Sequence, residues 1–233
     1  MGAFRGKTMK SSKSRPKMNS ADMISTQQTN VYSMSLTIYL SMNNTKLNGV
    51  NTQQLGSLMN TLKAIPDASK ATFFVKTEWN SKEEGGGGGF CVRSSAKNFE
   101  IGGQSIQRNS SYTTLMDFPP EFSGEGKGPT VCEACMSSLG ACITQTIVAH
   151  ATARGINLDS ITIDLEGNID LRGFTGISSD VRPGAQGFKV NVNIKSSSAS
   201  KEQISELYEI GKKLSPAFDT LTNGTSVIGV NSS

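Results

Sequence analysis

Residues 128–155 read GPTVCEACMSSLGACITQTIVAHATARG, a stretch that holds three of the four cysteines and the only histidine of the chain. Its apolar and small residues recur every three or four positions, at Cys132, Cys135, Leu139, Cys142, Ile143, Thr146, Ile147 and His150. This spacing predicts one face of an α-helix. Thr130 as N-cap with Glu133 three residues later predicts a capping box, and Gly155 predicts the C-terminal stop.

Small side chains are unusually frequent within this predicted helix. Ala134, Ser138, Gly140 and Ala141 would let another backbone approach closely. We therefore expect a helix or a sheet to lie directly against it, and we expect the helix to be central to the fold.

The composition is that of a globular protein, with 36% hydrophobic and 18% charged residues in a chain of 233. The net charge of +4 comes from the first 21 residues, which contain no acid and carry Arg5, Lys7, Lys10, Lys13, Arg15 and Lys17. The rest of the chain is nearly neutral and has few aromatic residues. We therefore expect no nucleic-acid partner.

The N-terminal segment and the cysteine usage bear on organisation and localisation. The basic composition of residues 1–30 predicts a disordered tail or an organellar transit peptide. We expect a single domain over residues 31–233. Four cysteines, three of them in one helix, favour an intracellular reducing compartment, either cytoplasmic or organellar. No apolar run approaches 18 residues, and we expect no membrane-spanning helix, membrane partner, cofactor or metal.

Alternating or β-prone runs predict strands at Val31–Asn44, Ala71–Trp79, Phe90–Gly103, Ser111–Asp117, Leu158–Gly173, Gly187–Ser196 and TSVIGV near the C-terminus. Two further helices are predicted, one from Thr52 to Pro66 after a turn at Asn48 and Gly49, the other from Ser200 to Pro216. The strands before the central helix are predicted to form an antiparallel meander. This order predicts one α+β domain.

The run Gly85–Gly89 resembles a phosphate-binding loop only superficially. It lacks the Lys-Ser/Thr pair of a P-loop, and the FCVRS that follows it predicts extended chain instead of a helix. We interpret it as a flexible hairpin loop.

Cys142 is the first candidate for chemistry, either as a nucleophile or as a small buried side chain. It lies in the middle of the predicted helix, so an activating cation would have to come from elsewhere. His150 lies about 12 Å further along the helix axis and cannot be its base within one chain. We therefore interpret His150 as a structural or surface residue.

Cys132 and Cys135 form a CxxC motif, which is compatible with redox chemistry or with zinc. A zinc site needs two more ligands, and Cys142 and His150 lie too far along a rigid helix to converge on the same ion. A Cys135–Cys142 disulfide is excluded, since the two positions lie about 10 Å apart along the axis.

The central stretch, together with ITIDLEGNIDLRG and LSPAFDTLTNGTSV, resembles the OsmC/Ohr family of osmotically inducible and organic hydroperoxide resistance proteins. KLNGVNTQQLGSLMNTLKAIPDASKATFFVKTEW resembles the N-terminal helix and strand of many members. The resemblance implies an α+β fold in which antiparallel sheets wrap around two long central helices of an intertwined homodimer. It places active sites at the subunit interface.

The resemblance also implies roles for single residues. Active members use a peroxidatic cysteine in the central helix, where this chain has Cys142. They use a resolving cysteine before a late proline, where this chain has Ser215. An Arg–Glu pair activates the peroxidatic thiol in those members. Cys132 stands at the glutamate position, so Glu133 is the candidate carboxylate, and Arg93 and Arg108 are candidates for the arginine.

Three functions are compatible with this pattern. The first is a thiol-dependent reductase of organic hydroperoxides with a single peroxidatic cysteine and an external thiol reductant; Cys91, Cys132 or Cys135 of the other subunit could serve as the resolving thiol. The second is a non-catalytic module that binds a small apolar ligand at the dimer interface. The third is a structural, stress-related dimer in which Cys142 only packs.

Overall fold

A computed structural model describes residues 45–80 and 88–229 of the chain. The predicted N-terminal tail, the predicted strand Val31–Asn44 and three residues of the five-glycine run lie outside the described residues. Eight strands are described: β1 (Lys46–Leu47), β2 (Val50–Asn51), β3 (Ala71–Glu78), β4 (Val92–Ile101), β5 (Gln104–Ile106), β6 (Tyr112–Met116), β7 (Ser160–Asn168) and β8 (Gly187–Lys195). The α-helices are α1 (Thr52–Ala64), α2 (Val131–Ala153), α3 (Leu171–Phe174), α4 (Lys201–Leu214) and α5 (Pro216–Asn223). Short 3-10 turns cover Pro66–Ser69 and Pro120–Phe122.

Helix α2 is the predicted central helix, and its predicted ends are confirmed. The Thr130 hydroxyl accepts a hydrogen bond from the Glu133 N–H, and the Glu133 carboxylate accepts one from the Thr130 N–H, which completes the capping box. At the other end, Gly155 adopts a left-handed φ of 71° that suits glycine after a helix. The buried residues are Leu139, Gly140, Ile143, Ile147, Ala151 and Thr152.

The buried stripe of α2 lies slightly to one side of the predicted face. Leu139, Ile143 and Ile147 are buried as predicted, whereas the three cysteines of the helix are only half-buried at its margin. His150 is likewise half-buried, and its Nδ1 lies 3.0 Å from the guanidinium of Arg154. Burial and the Arg154 charge hold the pKa of His150 below its usual range.

Strands β7 and β8 form an antiparallel ribbon that covers one side of α2. Exposed and half-buried residues alternate along both strands, as predicted from their sequence pattern. The inward residues Ile161, Ile163, Leu165, Val190, Val192 and Ile194 pack against the buried core of α2. A Cβ on Gly140 would lie 3.0 Å from Cδ1 of Leu165, so this glycine permits the close approach predicted for the helix.

Helix α4 packs on α2 through Leu207, which is fully buried, and Gly211. A Cβ at Gly211 would lie 2.8 Å from Cγ1 of Ile147, so the two helices meet at close range. Helix α4 begins at the predicted cap Ser200 and ends before Pro216.

The chain after Pro216 differs from the prediction. Pro216 is the first residue of α5, since proline at this position loses no intrahelical hydrogen bond and Ser215 caps the helix by accepting from the Phe218 N–H. The strand predicted at TSVIGV is wrong: residues 224–229 have no regular structure. Val227 and Ile228 are β-prone but highly exposed, and no described strand pairs with them.

The strands before α2 form a four-stranded sheet with β4 at its centre. Strand β3 pairs with one edge of β4, while β5 and β6 both pair with the other edge, at Phe99–Ile101 and at Val92–Ala96 respectively. The antiparallel meander predicted from Ala71–Trp79, Phe90–Gly103 and Ser111–Asp117 is confirmed, because β3, β4 and β6 pair in that order. Strand β5, which was not predicted, is a further strand on the same edge of β4 as β6. The length of β4 explains this, because ten residues provide room for two short partners on one edge.

The predicted turn at Asn48 and Gly49 is confirmed and joins β1 to β2. Asn48 has a left-handed φ of 53°. Its Nδ2 donates to the Ile156 carbonyl at 2.9 Å and to the Thr152 hydroxyl at 3.2 Å, and its Oδ1 accepts from the Leu158 N–H at 2.8 Å. One side chain thus ties the N-terminal hairpin to the chain that leaves α2.

By length and composition alone, α2 could cross a membrane, and it is the only described helix of that kind. The core helix of a soluble protein meets the same criteria. Within the single chain, 17% of the most apolar 18-residue window of α2 is buried. The expectation of no membrane partner stays a prediction.

Candidate functional site

Cys142 lies where α2 meets the start of α5. Its side chain is half-buried, and its Sγ accepts a hydrogen bond from the Ala217 N–H at 3.4 Å. Ala217 is the second residue of α5, and an N–H at this position has no partner within the helix. The thiol is therefore placed at the positive end of a helix, which favours negative charge.

Ser215, at the predicted resolving position, is fully buried. Its hydroxyl oxygen accepts from the Phe218 N–H at 3.3 Å and caps α5. A hydroxyl does this as well as any residue type, so at this position the chain has a helix cap instead of a second thiol.

Glu133, the candidate orienting carboxylate, forms its hydrogen bonds with Thr130 at the helix cap and not with Cys142. Its Oε2 accepts from the Thr130 N–H at 2.7 Å and from the Thr130 hydroxyl at 2.8 Å. These two hydrogen bonds hold the pKa of Glu133 below its usual range. Nine residues of helix place it about 13 Å from Cys142 along the axis. Within one chain, the structure does not bring the two predicted residues together.

The two candidate arginines lie in the four-stranded sheet region. Arg108 follows β5; its guanidinium stacks over the rings of Phe99 and Tyr112, and its Nε donates to the Lys97 carbonyl at 2.7 Å. Arg93 is in β4, opposite Leu115 of β6 in the strand register. Their assignment to thiolate activation stays a prediction.

A cavity of about 750 Å³ lies beside the N-terminal half of α2. Its walls are mostly apolar and include Phe118, Phe122, Leu139, Ile169, Leu171, Phe174, Phe188, Val190, Phe218 and Leu221. Cys132 and Cys135 line the same cavity, whereas Cys142 does not. Leu139, one turn before Cys142 in α2, and Phe218, next to Ala217 in α5, both line the cavity.

Asp117 organises the loop that supplies two of the aromatic walls. Its buried carboxylate accepts hydrogen bonds from the N–H groups of Phe118 at 2.8 Å, Glu125 at 3.1 Å and Lys127 at 3.2 Å. Burial raises the pKa of Asp117, but the three backbone donors outweigh burial and hold it below the usual range. Phe118 and Phe122 are thereby held against the cavity.

Arg182 is the one arginine that lines the cavity. Its side chain is exposed, and its guanidinium makes no ion pair or side-chain hydrogen bond within residues 45–80 and 88–229. Sequence reasoning missed Arg182, because it lies in the loop between β7 and β8 where no periodic pattern marks a function. The same reasoning missed α5, although Ser-Pro followed by Phe and Asp is a recognisable helix start.

The four cysteines are all free, and the described residues contain no cluster of three or more metal-ligating side chains. The fold is of the α+β class. A two-stranded ribbon and two helices pack around a central helix that carries three cysteines. Residues 124–228 match the family model described as OsmC-like protein. The chain therefore carries an OsmC-like domain over these residues.

Several solved structures are similar to this chain at low identity. An OsmC-like protein from Mycoplasma pneumoniae is 19% identical with a TM-score of 0.47, over 64% of this chain and 86% of that one. An OsmC-like protein from Vibrio cholerae is 11% identical with a TM-score of 0.45, over 66% and 94%. An organic hydroperoxide resistance protein from Legionella pneumophila is 15% identical with a TM-score of 0.38, over 66% and 90%. A search of curated proteins gave no significant match.

Proposed function

We propose that this protein reduces organic hydroperoxides with Cys142 as a single peroxidatic thiol and an external thiol as reductant. The observation that supports this proposal best is the hydrogen bond from the Ala217 N–H to Sγ of Cys142. This contact supports the proposal because the family resemblance assigns Cys142 as the peroxidatic residue, and a helix N-terminus is a site that favours negative charge.

The chemistry follows from the reactivity of a thiolate. The Cys142 sulfur attacks the terminal oxygen of the hydroperoxide, the O–O bond breaks, and the alkoxide takes a proton to leave as an alcohol. The resulting sulfenic acid reacts with one external thiol to give a mixed disulfide and water. A second external thiol then releases reduced Cys142. Because Ser215 cannot form a disulfide with Cys142, the external thiol must react with the sulfenic acid itself.

We further propose that two copies of the chain assemble as a homodimer. Only 17% of the most apolar window of α2 is buried in the single chain, and Ser138 and Ala141 are exposed along it. On β3, Phe73 and Val75 are each 67% exposed. Apolar surfaces of this extent favour burial by a partner, and a second copy is the partner that the family resemblance implies. Light scattering of the purified protein at micromolar concentration tests this: a monomer mass would contradict it.

The catalytic proposal is tested in a Cys132→Ser/Cys135→Ser variant, where Cys142 is the only remaining cysteine that is not buried. This variant should consume cumene hydroperoxide with dithiothreitol or dihydrolipoamide as the reductant. Adding Cys142→Ser should abolish the consumption. Equal consumption by the two variants would rule out Cys142 as the peroxidatic residue.

A second candidate function is the binding of a small apolar ligand without catalysis. The observation that favours it is the aromatic cavity, whose volume lies within the range of small-molecule sites. A fluorescent apolar probe should bind to the unmodified protein and bind more weakly to a Leu171→Trp variant, because the Leu171 side chain is exposed and lines the cavity. If such binding occurs while the Cys142 test above gives no turnover, the binding function is the correct one.

A further inference from the structure

We propose that Cys132 and Cys135 form a second redox site, a thiol pair that reduces an organic hydroperoxide in the cavity and closes into a disulfide. This site shares only its substrate class with the proposed function. Its residues, its position and its resolving step are different from those of Cys142.

The spacing of the pair permits a disulfide. Residues three apart in an α-helix have Cα atoms about 5 Å apart, which lies within the range of roughly 4.4 to 6.8 Å seen in disulfides. Cys142 is about 10 Å further along the axis than Cys135, so neither member of the pair can bond to it within one helix. The pair is therefore the only combination of α2 cysteines that can close within one chain.

Closure needs a local change in the first turns of α2. The Cβ atoms of such residues are about 5–6 Å apart in a regular helix, whereas a disulfide brings them to about 3.5–4.5 Å. The first turn can tighten because its N–H groups have no intrahelical partners and are held only by the cap at Thr130. A disulfide that deforms the helix start is easily reduced, as a catalytic disulfide must be.

The cavity provides access to the pair. Both thiols are half-buried and line the space of about 750 Å³, together with the rings of Phe118, Phe122 and Phe174. An apolar hydroperoxide bound against these rings would lie beside the pair. Cys91 serves as an internal comparison, since it is 1% exposed and does not line the cavity.

The two thiols have distinct roles. Cys132 is the second residue of α2 and lies at its positive end, so its thiolate attacks the terminal oxygen of the hydroperoxide. The O–O bond breaks, the alkoxide takes a proton and leaves as an alcohol, and Cys132 becomes a sulfenic acid. Cys135 then attacks that sulfur, and hydroxide leaves and is protonated to water. Two thiols and one hydroperoxide thus give a disulfide, an alcohol and water. An external dithiol restores the pair.

The experiment uses the full-length Cys142→Ser variant and the unmodified protein, both reduced and freed of reductant. Two equivalents of cumene hydroperoxide, one for each proposed site of the unmodified protein, are added to both proteins. Free thiols are then blocked with iodoacetamide, and the tryptic peptide 128–154 is sequenced by mass spectrometry. We expect Cys132 and Cys135 to be unalkylated in both proteins, with the peptide lighter by two hydrogens. In the unmodified protein, the disulfide should map to this pair whatever the state of Cys142.

Single variants test the order of the steps. Cys135→Ser should accumulate a sulfenic acid on Cys132 that dimedone traps, whereas Cys132→Ser should leave Cys135 alkylated after the same treatment. The proposal is wrong if both thiols are still alkylated after hydroperoxide, or if their disulfide joins two chains on a non-reducing gel. The Cys142→Ser variant keeps the Cys132 and Cys135 pair, and the Cys132→Ser/Cys135→Ser variant keeps Cys142. Loss of reactivity in one variant therefore shows the failure of one site only.

Discussion

The backbone N–H of Ala217 points at Sγ of Cys142, 3.4 Å away, and joins the central helix to the first turn of α5. Residue 215 is two positions before this donor and is fully buried. A thiol at position 215 would therefore be close to Cys142 without any large movement of the chain.

We predict that Ser215→Cys, made in the Cys132→Ser/Cys135→Ser background, forms a disulfide with Cys142 after treatment with cumene hydroperoxide. Loss of the serine cap should lower the free energy of unfolding by about 1 kcal/mol in the reduced protein. Peptide mapping should find residues 142 and 215 cross-linked. Ser205→Cys, on the exposed side of α4, is the control and should give no such cross-link.

Asn48 should be important for stability although it touches no cysteine. Asn48→Ala removes three hydrogen bonds and places alanine at a left-handed φ, so we expect the free energy of unfolding to fall by about 2–4 kcal/mol. Asn48→Gly loses the same hydrogen bonds, but glycine adopts a left-handed φ without a steric cost. Its free energy of unfolding should therefore fall by less than that of Asn48→Ala. Urea denaturation of both variants measures the difference; equal losses would mean that the φ of Asn48 contributes nothing.

Replacing two helical glycines by alanine, Gly211 and Gly56, should change the stability of the protein in opposite directions. At Gly211 an added Cβ would lie 2.8 Å from the buried Ile147 side chain, so Gly211→Ala should destabilise the protein by about 1–3 kcal/mol. At Gly56 in α1 nothing lies within 4 Å of an added Cβ. Gly56→Ala should therefore stabilise by about 0.5–1 kcal/mol through the unfolded chain and helix propensity. Thermal unfolding midpoints that shift in the same direction would contradict this packing.

The capping box at Thr130 and Glu133 should make stability depend on acid pH. Its hydrogen bonds lower the pKa of Glu133, so the box contributes stability that is fully present above the unfolded-state pKa and is lost as pH falls through the folded-state value. Glu133→Gln keeps a hydrogen-bonding side chain but cannot titrate. Between pH 6 and pH 3, the urea midpoint of this variant should fall less than that of the unmodified protein. Identical curves would show that the carboxylate makes no contribution.

Much of the region from α2 to α4 could be predicted from the sequence, because its determinants are local. The capping box, the alternation along β7 and β8 and the cap at Ser200 each act within a few residues. Strand β5 could not be predicted, because its three residues are too few to show an alternating pattern. The wrong C-terminal strand has a different cause, since β-propensity at Val227 and Ile228 has no effect without a neighbouring strand.

Part of the candidate site could also be predicted from the sequence, and part of it could not. The place of Cys142 on the central helix followed from the spacing, and the family match supports its neighbourhood. The cavity depends on the loop after Asp117, on the β7–β8 connection and on α5, which are brought together only by tertiary packing. Spacing along one helix therefore identified the cysteines but could not show that Cys132 and Cys135 line a cavity and that Cys142 does not.

The regular alternation of the β7–β8 ribbon also limits how copies of the chain can meet. Its outward side carries Asp164, Glu166 and Lys189, with the last two opposite each other in the register. Covering these charges would remove their hydration without replacing it, so this side disfavours contact with apolar surfaces. In the proposed homodimer we therefore expect the second copy to contact the flank of α2 where Ser138 and Ala141 are exposed, and the outward side of the ribbon to stay in water.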